Sequence, residues 1–427
     1  MTLRLLPGRR SPDRGLTAIL ATVLLSSAIT ACAGTSTPSA SGVASAASAP
    51  TPSAAASVRG SETPSPSPSP SAEPPAEPSP EPSTTEEPSA EPSPSDAGSA
   101  SPPAEPSPSA LASPPLAEAV RLALDWTPNT NHTGFFVAQG KGWYADSGVA
   151  LKVIPYTNAA PETLLAAGQA DCGISFQDSL TFAVAAGAPI RSVMAILQHS
   201  ASAIAVLADG PIRRPRDLDG KTYGGFGYPA DDPTIKVVIK HDGGKGVFKD
   251  ATLNASAYEA LYAKQVDFTI VFTAWEGLEA KQRGIDLRYF KPTDYGFPDS
   301  YQVLLSCNTD WLAGHDDLAR RFVAATVRGF QFAASNPVEA AQVLIAQNPG
   351  IFDANPKLPA ESAAYLAKSG LYVNEVGMVG PQTLEQWTAY SSFLYREGLL
   401  ADANGKPLAS PPDYGALFTN AFLPGGP

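Results

Sequence analysis

The aromatic residues of this chain are confined to one part of it, because none of its 36 Phe, Tyr and Trp side chains precedes Trp126. Residues 35–115 hold 21 of the 43 prolines and nine acidic residues, with a single base, Arg59. Such a segment cannot bury enough apolar surface to offset the entropy lost on ordering. The sequence therefore predicts a disordered Pro/Ser/Ala-rich tether over residues 32–115 and a folded domain over residues 116–427.

The first residues predict an export signal. Four arginines, the last of them Arg14, precede a charge-free run of 16 residues from Leu16 to Ala31. A basic head, an apolar middle and a small-residue end are typical of a signal peptide, and the run is shorter than the roughly 20 residues that span a bilayer. The Ile-Thr-Ala-Cys string that ends at Cys32 resembles a bacterial lipobox. That resemblance implies removal of residues 1–31 and a lipid on Cys32; the alternative is an ordinary signal anchor.

Charge and cysteine content exclude some kinds of partner. The formal net charge is −12, and residues 116–427 carry about −7 without a basic run, so a nucleic-acid partner is not expected. No Cys-x-x-Cys or His-rich cluster occurs, so the sequence predicts no metal site. Cys172 and Cys307 lie in apolar runs where single buried thiols are common, which favours two free thiols over the disulfide that export would permit.

The domain is predicted to be α/β. From Ala117 short apolar runs alternate with helical stretches, beginning with a strand at Val120–Leu124 and a helix over about Gly134–Tyr144. Two such series and a late strand over Tyr301–Cys307 suggest two lobes joined by crossovers, the layout of a venus-flytrap binding protein whose usual motion is hinge closure. In such folds the ligand site is the cleft between the lobes, where loops at strand carboxyl ends converge.

The lobe boundaries follow from the order of the runs. The first lobe is predicted to comprise about 116–205 and 300–427, and the second about 206–299. Hinges are predicted near 203–210 and 296–302.

The segment from Asp125 to Gly134, which reads DWTPNTNHTG, is the strongest candidate site. It follows a predicted strand and suits a flat heteroaromatic ligand. Trp126 would stack on the ring, Asp125 would accept from an amino group, and Asn129 and His132 would fix its orientation. The alternative is a capped turn with a Trp packed in the core. Further candidates stand at predicted strand ends, where a lone aromatic or acid is more often structural: Tyr156, Gln177, Trp275 and Glu276.

Four strings together resemble a known family. They are DWTPNTNHTG at 125–134, AAGQADCGIS at 166–175, DGKTYGG at 219–225 and WEG at 275–277. They resemble the solute-binding proteins for the pyrimidine precursor of thiamine, over about residues 117–400. That family shares a two-lobed periplasmic-binding-protein-like (type II) fold with the yeast pyrimidine-precursor synthases and with sulfonate and riboflavin binders. Asp231-Asp232 departs from the family pattern, which has a Glu-rich helix start there.

The resemblance implies roles for individual residues. Ring contacts would come from the first loop, an acidic contact from the Trp-Glu-Gly motif, and backbone contacts from the glycine-rich strand end. By position these roles fall on Asp125, Trp126 and His132, on Glu276, and on Gly224, Gly225 and Tyr228.

The implied function is that of a lipid-anchored, extracytoplasmic, monomeric solute-binding protein. It would lie on the outer face of the cell membrane, need no cofactor and deliver a hydroxymethyl- or formylaminopyrimidine to the permease of an ABC importer. Riboflavin and a sulfonate are alternative ligands, although a sulfonate would call for Arg, Lys or a helix N-terminus, and the candidate loops hold acids, amides and aromatics. An adhesion or sensor domain is a further alternative.

An enzyme is the less favoured alternative. The synthases of this fold consume pyridoxal phosphate and an active-site histidine, and carry a cysteine-rich metal motif. Nothing like their Cys-Cys-Cys-Phe-Cys string occurs in this chain.

Overall fold

The computed structural model describes residues 117–157 and 159–426. The predicted signal peptide, lipidation at Cys32 and tether therefore lie outside the described residues.

Five strands form the first sheet, in the order β2-β1-β3-β10-β4. The first three strands are parallel, and β10 lies antiparallel between β3 and β4. Both faces of the sheet are covered, because Leu304 and Leu305 pack into different cores on opposite sides. The strands are β1 Glu118–Ala123, β2 Val149–Ile154, β3 Cys172–Ser175, β4 Ile190–Ala195 and β10 Leu304–Asn308.

The remaining strands form a three-stranded ladder and a two-stranded ladder, which together we call the second sheet. β5 pairs antiparallel with β8 and β9, and β6 pairs in parallel with β7. A bridge between Tyr223 and Phe268 joins β6 to the start of β8, so the strands follow one another as β7-β6-β8-β5-β9. The strands are β5 Ser202–Leu207, β6 Thr222–Gly225, β7 Lys249–Thr252, β8 Thr269–Phe272 and β9 Leu287–Phe290.

Helices flank the sheets and include one difference from the sequence prediction. The single helix expected over 134–144 is two helices, because Gly142 adopts φ 76° and interrupts the turn. No helix in the described part of the chain is both long and apolar enough to cross a bilayer. The helices are α1 Thr133–Gly140, α2 Trp143–Asp146, α3 Pro161–Ala166, α4 Gln177–Ala185, α5 Asp231–His241, α6 Ser256–Tyr262, α7 Glu276–Gln282, α8 Thr309–Gly314, α9 Asp316–Ser335, α10 Pro337–Gln347, α11 Leu358–Lys368 and α12 Leu384–Arg396, with 3-10 turns at Thr130–His132, Pro215–Leu218, Pro292–Tyr295 and Tyr414–Leu417.

The chain passes between the sheets in two adjacent segments, 196–201 and 291–303. The amide of Ser200 donates to Asp299 at 3.0 Å, and the amide of Ala201 donates to the side chain of Gln302 at 2.5 Å. The hinge predicted near 203–210 is therefore wrong, since most of that segment is β5. The sequence shows β4 and β5 as two apolar runs close together, and nothing in it indicates that the two strands join different sheets.

A disulfide links Cys172 in β3 to Cys307 in β10, so the expectation of two free thiols is wrong. The two residues face each other across the antiparallel ladder, and both are buried. The return strand is thus covalently tied to the sheet it enters, across 135 residues of sequence.

Helices α1 and α9 cross at two glycines. A Cβ on Gly329 would lie 2.0 Å from the carbonyl oxygen of Gly134, and a Cβ on Gly134 would lie 2.3 Å from the ring of Phe330. Only glycine allows the backbones to approach so closely. This contact fixes the helix that the candidate loop opens.

Candidate functional site

The carboxyl ends of β1, β2 and β3 meet at one edge of the first sheet, because the three strands are parallel. Asp125 and Trp126 follow β1, Tyr156 follows β2, and Asp178 follows β3 at the start of α4. Residues from three loops therefore converge where a parallel sheet binds its ligands.

The imidazole of His132 is completely buried and faces Asp125, with Nε2 2.7 Å from Oδ1. Its other nitrogen, Nδ1, accepts from the backbone amide of Asn129 at 3.3 Å. That bond leaves the proton on Nε2, so the ring donates to the carboxylate. The sequence predicted that His132 contacts the ligand. In the structure its ring is buried and instead holds the carboxylate of Asp125 in position.

Asn129 also has a role within the loop and not toward a ligand. Its Oδ1 accepts from the amide of Asn131 at 2.9 Å and its amide group donates to the carbonyl of Thr127 at 3.1 Å. Thr130 ties the same turn to α11 through a 2.6 Å hydrogen bond with Ser362. The loop is consequently rigid where it presents Asp125 and Trp126.

Trp126 and Tyr156 form an aromatic wall. Their ring centroids are 5.0 Å apart at an interplanar angle of 39°. Trp126 is 39% exposed, although a large aromatic side chain is usually mostly buried. The alternative of a Trp packed in the core does not hold, and the exposed ring is free to stack on a ligand.

A second group of aromatics follows β6. The rings of Phe226 and Tyr228 stack with centroids 6.0 Å apart, and Tyr258 packs on Phe226 at 5.7 Å. Tyr228 is 62% exposed. Desolvation of its hydroxyl, together with the charges of Asp178 and Asp125, raises the pKa of Tyr228 to about 12. Ala230, close to this group in sequence, packs in one cluster with Tyr390 and Phe393 of α12, and we call the space between the two sheets the cleft.

Acidic groups line the cleft from both sides. Asp178 belongs to the first sheet's helix α4, and Asp231 begins α5 beside the second sheet. Burial raises the pKa of Asp231 to about 7, and the charges of Asp178 and Asp250 act in the same direction. Burial likewise raises the pKa of Glu162, again helped by Asp178 and also by Asp125. The neighbouring charges that act on Asp231 and Glu162 are all negative, so the cleft favours a ligand with donors or positive charge.

Glu276 begins α7, and its Oε2 accepts from the amide of Phe272 at 3.1 Å. Burial raises the pKa of Glu276 to about 7. Its charge acts on Tyr258, whose hydroxyl also lies within range of Asp231 and Tyr228. Glu276 follows the carboxyl end of β8 in the second sheet.

Two other predicted residues, Gln177 and Trp275, make contacts within the fold. The side chain of Gln177 is buried, donates to the carbonyls of Gln386 and Trp387 and accepts from the amide of Tyr301. Trp275 packs edge-on against Phe352, with ring centroids 6.4 Å apart. A side chain at the end of a strand can contact a ligand or can pack against a neighbouring helix, and the sequence alone does not distinguish these two roles.

Gly224 and Gly225 are buried within β6. The amide of Gly224 donates to Phe268 at 2.9 Å, and the carbonyl of Gly225 accepts from Leu253 at 2.8 Å. A Cβ on Gly225 would lie 2.3 Å from the ring of Tyr223, so this glycine is explained by packing. The predicted backbone contacts to a ligand are not supported at these groups.

Two hollows lie elsewhere in the described part of the chain. A hollow of about 290 Å³ is lined by Arg191, Thr309 and Phe422 among others, and one of about 140 Å³ lies beside Asp209 and Lys264. Within residues 117–157 and 159–426 no group of three His, Cys, Asp or Glu side chains is arranged to hold a metal ion.

Comparison with known proteins agrees with this architecture. Residues 129–340 match the family model described as NMT1/THI5 like. Over these residues the chain is similar to the NMT1/THI5-like family. A formylaminopyrimidine-binding protein of Halalkalibacterium halodurans is 28% identical over 65% of this chain and 84% of its own length.

Other members of the family carry different names. A riboflavin-binding protein of Chloroflexus aurantiacus is 25% identical over 73% of this chain and 88% of its own length. A 4-amino-5-hydroxymethyl-2-methylpyrimidine phosphate synthase of Saccharomyces cerevisiae is 25% identical over 72% of this chain and 88% of its own.

Solved structures establish the fold. The periplasmic aliphatic sulphonate binding protein of Escherichia coli superposes with a TM-score of 0.52 at 17% identity, over 69% of this chain and 93% of its own. The predicted two-lobed periplasmic-binding-protein fold is thereby confirmed.

Sequence reasoning did not single out Glu162 and Asp178 as site residues. Both follow the carboxyl ends of parallel strands, β2 and β3, which was a usable signal. Asp231 was noticed only as a departure from the family pattern. Its place opposite Asp178 depends on how the two sheets face each other, which no local pattern encodes.

Proposed function

We propose that this chain is the extracytoplasmic solute-binding component of an ABC importer and captures a 4-aminopyrimidine precursor of thiamine in the cleft. The observation that carries the proposal is the pairing of an exposed aromatic wall, Trp126 and Tyr156, with a carboxylate held in place by His132. A flat ring stacks on the first, and an exocyclic amino group donates to the second. The name of the Halalkalibacterium relative supports the same ligand class.

The acidity of the cleft argues against the anionic alternative. A sulfonate needs cationic or backbone donors, whereas the charges acting on Tyr228 come from Asp178, Asp125 and Asp231. Riboflavin is the stronger alternative ligand, because its ring system also stacks on aromatic side chains and one relative is named a riboflavin-binding protein.

Binding is favoured over synthesis by the state of the histidine. The synthase alternative requires a histidine available for chemistry, and His132 is buried with both ring nitrogens engaged. A relative named as a synthase keeps this alternative as the second candidate.

Calorimetry with the purified chain tests the ligand. The panel contains 4-amino-5-hydroxymethyl-2-methylpyrimidine, its formylaminomethyl analogue, thiamine, riboflavin and an alkanesulfonate. We expect micromolar or tighter binding of a pyrimidine and a change in Trp fluorescence. Binding of riboflavin or the sulfonate, with no pyrimidine bound, would contradict the ligand assignment but leave the fold untouched.

We further propose that the two sheets, each with its helices, act as two lobes that close about the crossovers 196–201 and 291–303.

We also propose that the protein is a monomer, tethered to the outer face of the cell membrane through a lipid on Cys32. Changing Cys32 to Ala should release the protein from membranes or block its processing. Deleting residues 35–115 should leave ligand affinity unchanged, because that segment has no aromatic or periodic apolar residues for the cleft to bind. Full membrane anchoring of the Cys32→Ala protein would contradict the lipid anchor.

A further inference from the structure

Helix α7 belongs to the second sheet but is bonded to a helix of the first. It packs on β8 and β9, whereas α11 packs on α9 and α10, and Leu366 of α11 is buried in the core cluster of the first sheet. The side chain of Gln282, the last residue of α7, donates to Glu361 of α11 at 3.0 Å. It also accepts from Asn355, in the segment before α11, at 2.7 Å. Both ends of this exposed amide are therefore bonded to the first-sheet side.

The segment between β8 and α7 makes further contacts across the same boundary. The hydroxyl of Tyr365, in α11, donates to Thr273 Oγ1 at 3.2 Å. Ala274 is fully buried in the core cluster of the first sheet, and the ring centroids of Trp275 and Phe352 are 6.4 Å apart. Hydrogen bonds and apolar burial thus join the two sides outside the crossovers.

Helix α11 also supports the candidate loop. The hydroxyl of Ser362, which follows Glu361, is buried and lies 2.6 Å from that of Thr130. Thr130 belongs to the loop that presents Asp125 and Trp126. One helix therefore contacts both the candidate loop and α7 of the second sheet.

The contacts of α7 lie at different distances from the crossovers. The amide and the hydroxyl of Thr273 both donate at 2.9 Å to the carbonyl of Ala201, at the end of the crossover 196–201. Gln282 ends the seven-residue α7, about 10 Å farther along at a rise of about 1.5 Å per residue. A rotation about the crossovers therefore displaces Gln282 more than Thr273, and its two hydrogen bonds are the ones that such a motion strains first.

We propose that α7 and α11 form a latch, which holds the two lobes in the closed arrangement of this structure and links closure to the candidate loop. We define the latch as the hydrogen bonds of Thr273 and Gln282 with Asn355, Glu361 and Tyr365. This inference rests on the lobe closure of the proposed function and adds the contact that sets how much of the empty protein is closed.

A latch of this kind changes affinity without touching the ligand. If a ligand binds only the closed form, its apparent Kd is the intrinsic Kd divided by the closed fraction. A neutral hydrogen bond makes a modest net contribution, and Gln282 makes two of them. Their loss should lower the ratio of closed to open protein about fivefold or more.

Pulsed electron paramagnetic resonance measures the closed fraction without a ligand. Spin labels are attached to the variants Val247→Cys, on the second-sheet side, and Val338→Cys, on α10, in one full chain that also carries Cys32→Ala; both label positions are exposed. The distance that the structure gives for this pair identifies the closed population. We expect Gln282→Ala to lower the closed-to-open ratio about fivefold or more, and added Tyr365→Phe to lower it further.

Gln347→Ala is the matched control. Gln347 is exposed and ends α10 as Gln282 ends α7, and a Cβ on Gly140 of α1 would lie 3.2 Å from its Nε2, so its side chain contacts its own lobe. Its replacement should leave the closed fraction at the wild-type value. An equal shift in this control, or no shift in Gln282→Ala with or without Tyr365→Phe, overturns the latch.

Calorimetry with 4-amino-5-hydroxymethyl-2-methylpyrimidine tests the link to binding. We expect the Kd of Gln282→Ala to rise by the factor by which its closed fraction falls. A lower Kd in Gln282→Ala would assign the contact to the open form and overturn the proposal. If the pyrimidine does not bind, the proposed ligand fails, and the spin-label distances still decide the latch. A single distance, the same in every variant, overturns the latch whether or not the pyrimidine binds.

Discussion

His132 and Asp125 form one unit: the Nε2–H of the buried imidazole donates to Asp125 Oδ1 over 2.7 Å. The amide of Asn129 fixes the ring from its other side. Asp125 therefore cannot rotate freely, although its side chain retains 13% exposure toward the cleft. A carboxylate fixed before the ligand arrives loses little entropy on binding.

We expect His132→Ala to weaken aminopyrimidine binding although the histidine does not contact the ligand. The freed carboxylate would have to be ordered on binding, at a cost of about 1 kcal/mol, or roughly fivefold in Kd. Calorimetry on His132→Ala, Asp125→Asn and the double variant measures the coupling. Because the histidine acts through Asp125, its loss should have little further effect in Asp125→Asn; two fully additive effects would contradict a positioning role.

Trp126→Ala should weaken ligand binding by about tenfold, from the loss of stacking and of buried ring surface. Trp126→Phe keeps an aromatic face against Tyr156 and should lose less than half of that free energy. Fluorescence and calorimetric titrations check both variants. If Trp126→Ala binds as tightly as the wild type, the wall has no part in recognition.

Much of the fold could be predicted because the apolar pattern of each short segment indicates the strand or helix that it forms. The strand expected at Val120–Leu124 lies at Glu118–Ala123, and the sheet buries its Val120, Leu122 and Ala123. β9 at Leu287–Phe290 was missed, since only Phe290 of its four residues is fully buried and the run has no apolar pattern to reveal it. The pairing of Cys172 with Cys307 was missed for a different reason: it depends on β10 entering between β3 and β4, after 135 residues.

The site was predicted in type better than in detail. Trp126 and Tyr156 could be found from their places after strands, because parallel strands bring their carboxyl ends together. The role of His132 could not be predicted, because the sequence of a polar loop is the same whether its histidine faces a ligand or a neighbouring carboxylate. The charge of Asp178 acts on Asp231 through the relative placement of two sheets, which sequence periodicity does not encode.

Gly329→Ala should destabilise the protein by about 1–3 kcal/mol or more, because the added methyl would overlap the backbone of Gly134 and not a flexible side chain. Urea unfolding measures the change. Gly314→Ala is the matched control, since a Cβ there meets nothing within 4 Å and the position is helical. Equal stability of the two variants would contradict the close helix crossing.

Removing the disulfide should lower the free energy of unfolding by about 2–5 kcal/mol. Cys172→Ala combined with Cys307→Ala is compared with the wild type by urea unfolding in the absence of reductant. Thiol labelling of the unfolded, unreduced wild type should find neither cysteine reactive. Full labelling of both would show that the pair does not form.

The acids of the cleft should make the empty protein less stable as the pH rises. Burial raises the pKa of Asp231 and of Glu276 to about 7, from ordinary values of 3.8 and 4.5. The folded state therefore holds protons that the unfolded state has released. The resulting stabilisation is present below about pH 4 and is lost as the pH rises through 7.

We accordingly expect Asp231→Asn and Glu276→Gln each to raise the free energy of unfolding at pH 8 by about 1–2 kcal/mol, a value reduced for partial exposure, and to change it little at pH 5. Both replacements keep an oxygen for the bonds from Tyr223 and Phe272. Asp242 is the control of opposite sign, because its hydrogen bond with Arg214 lowers its pKa to about 2. Asp242→Asn should lose stability at pH 8, and the same response from all three variants would contradict the assigned burial of the cleft acids.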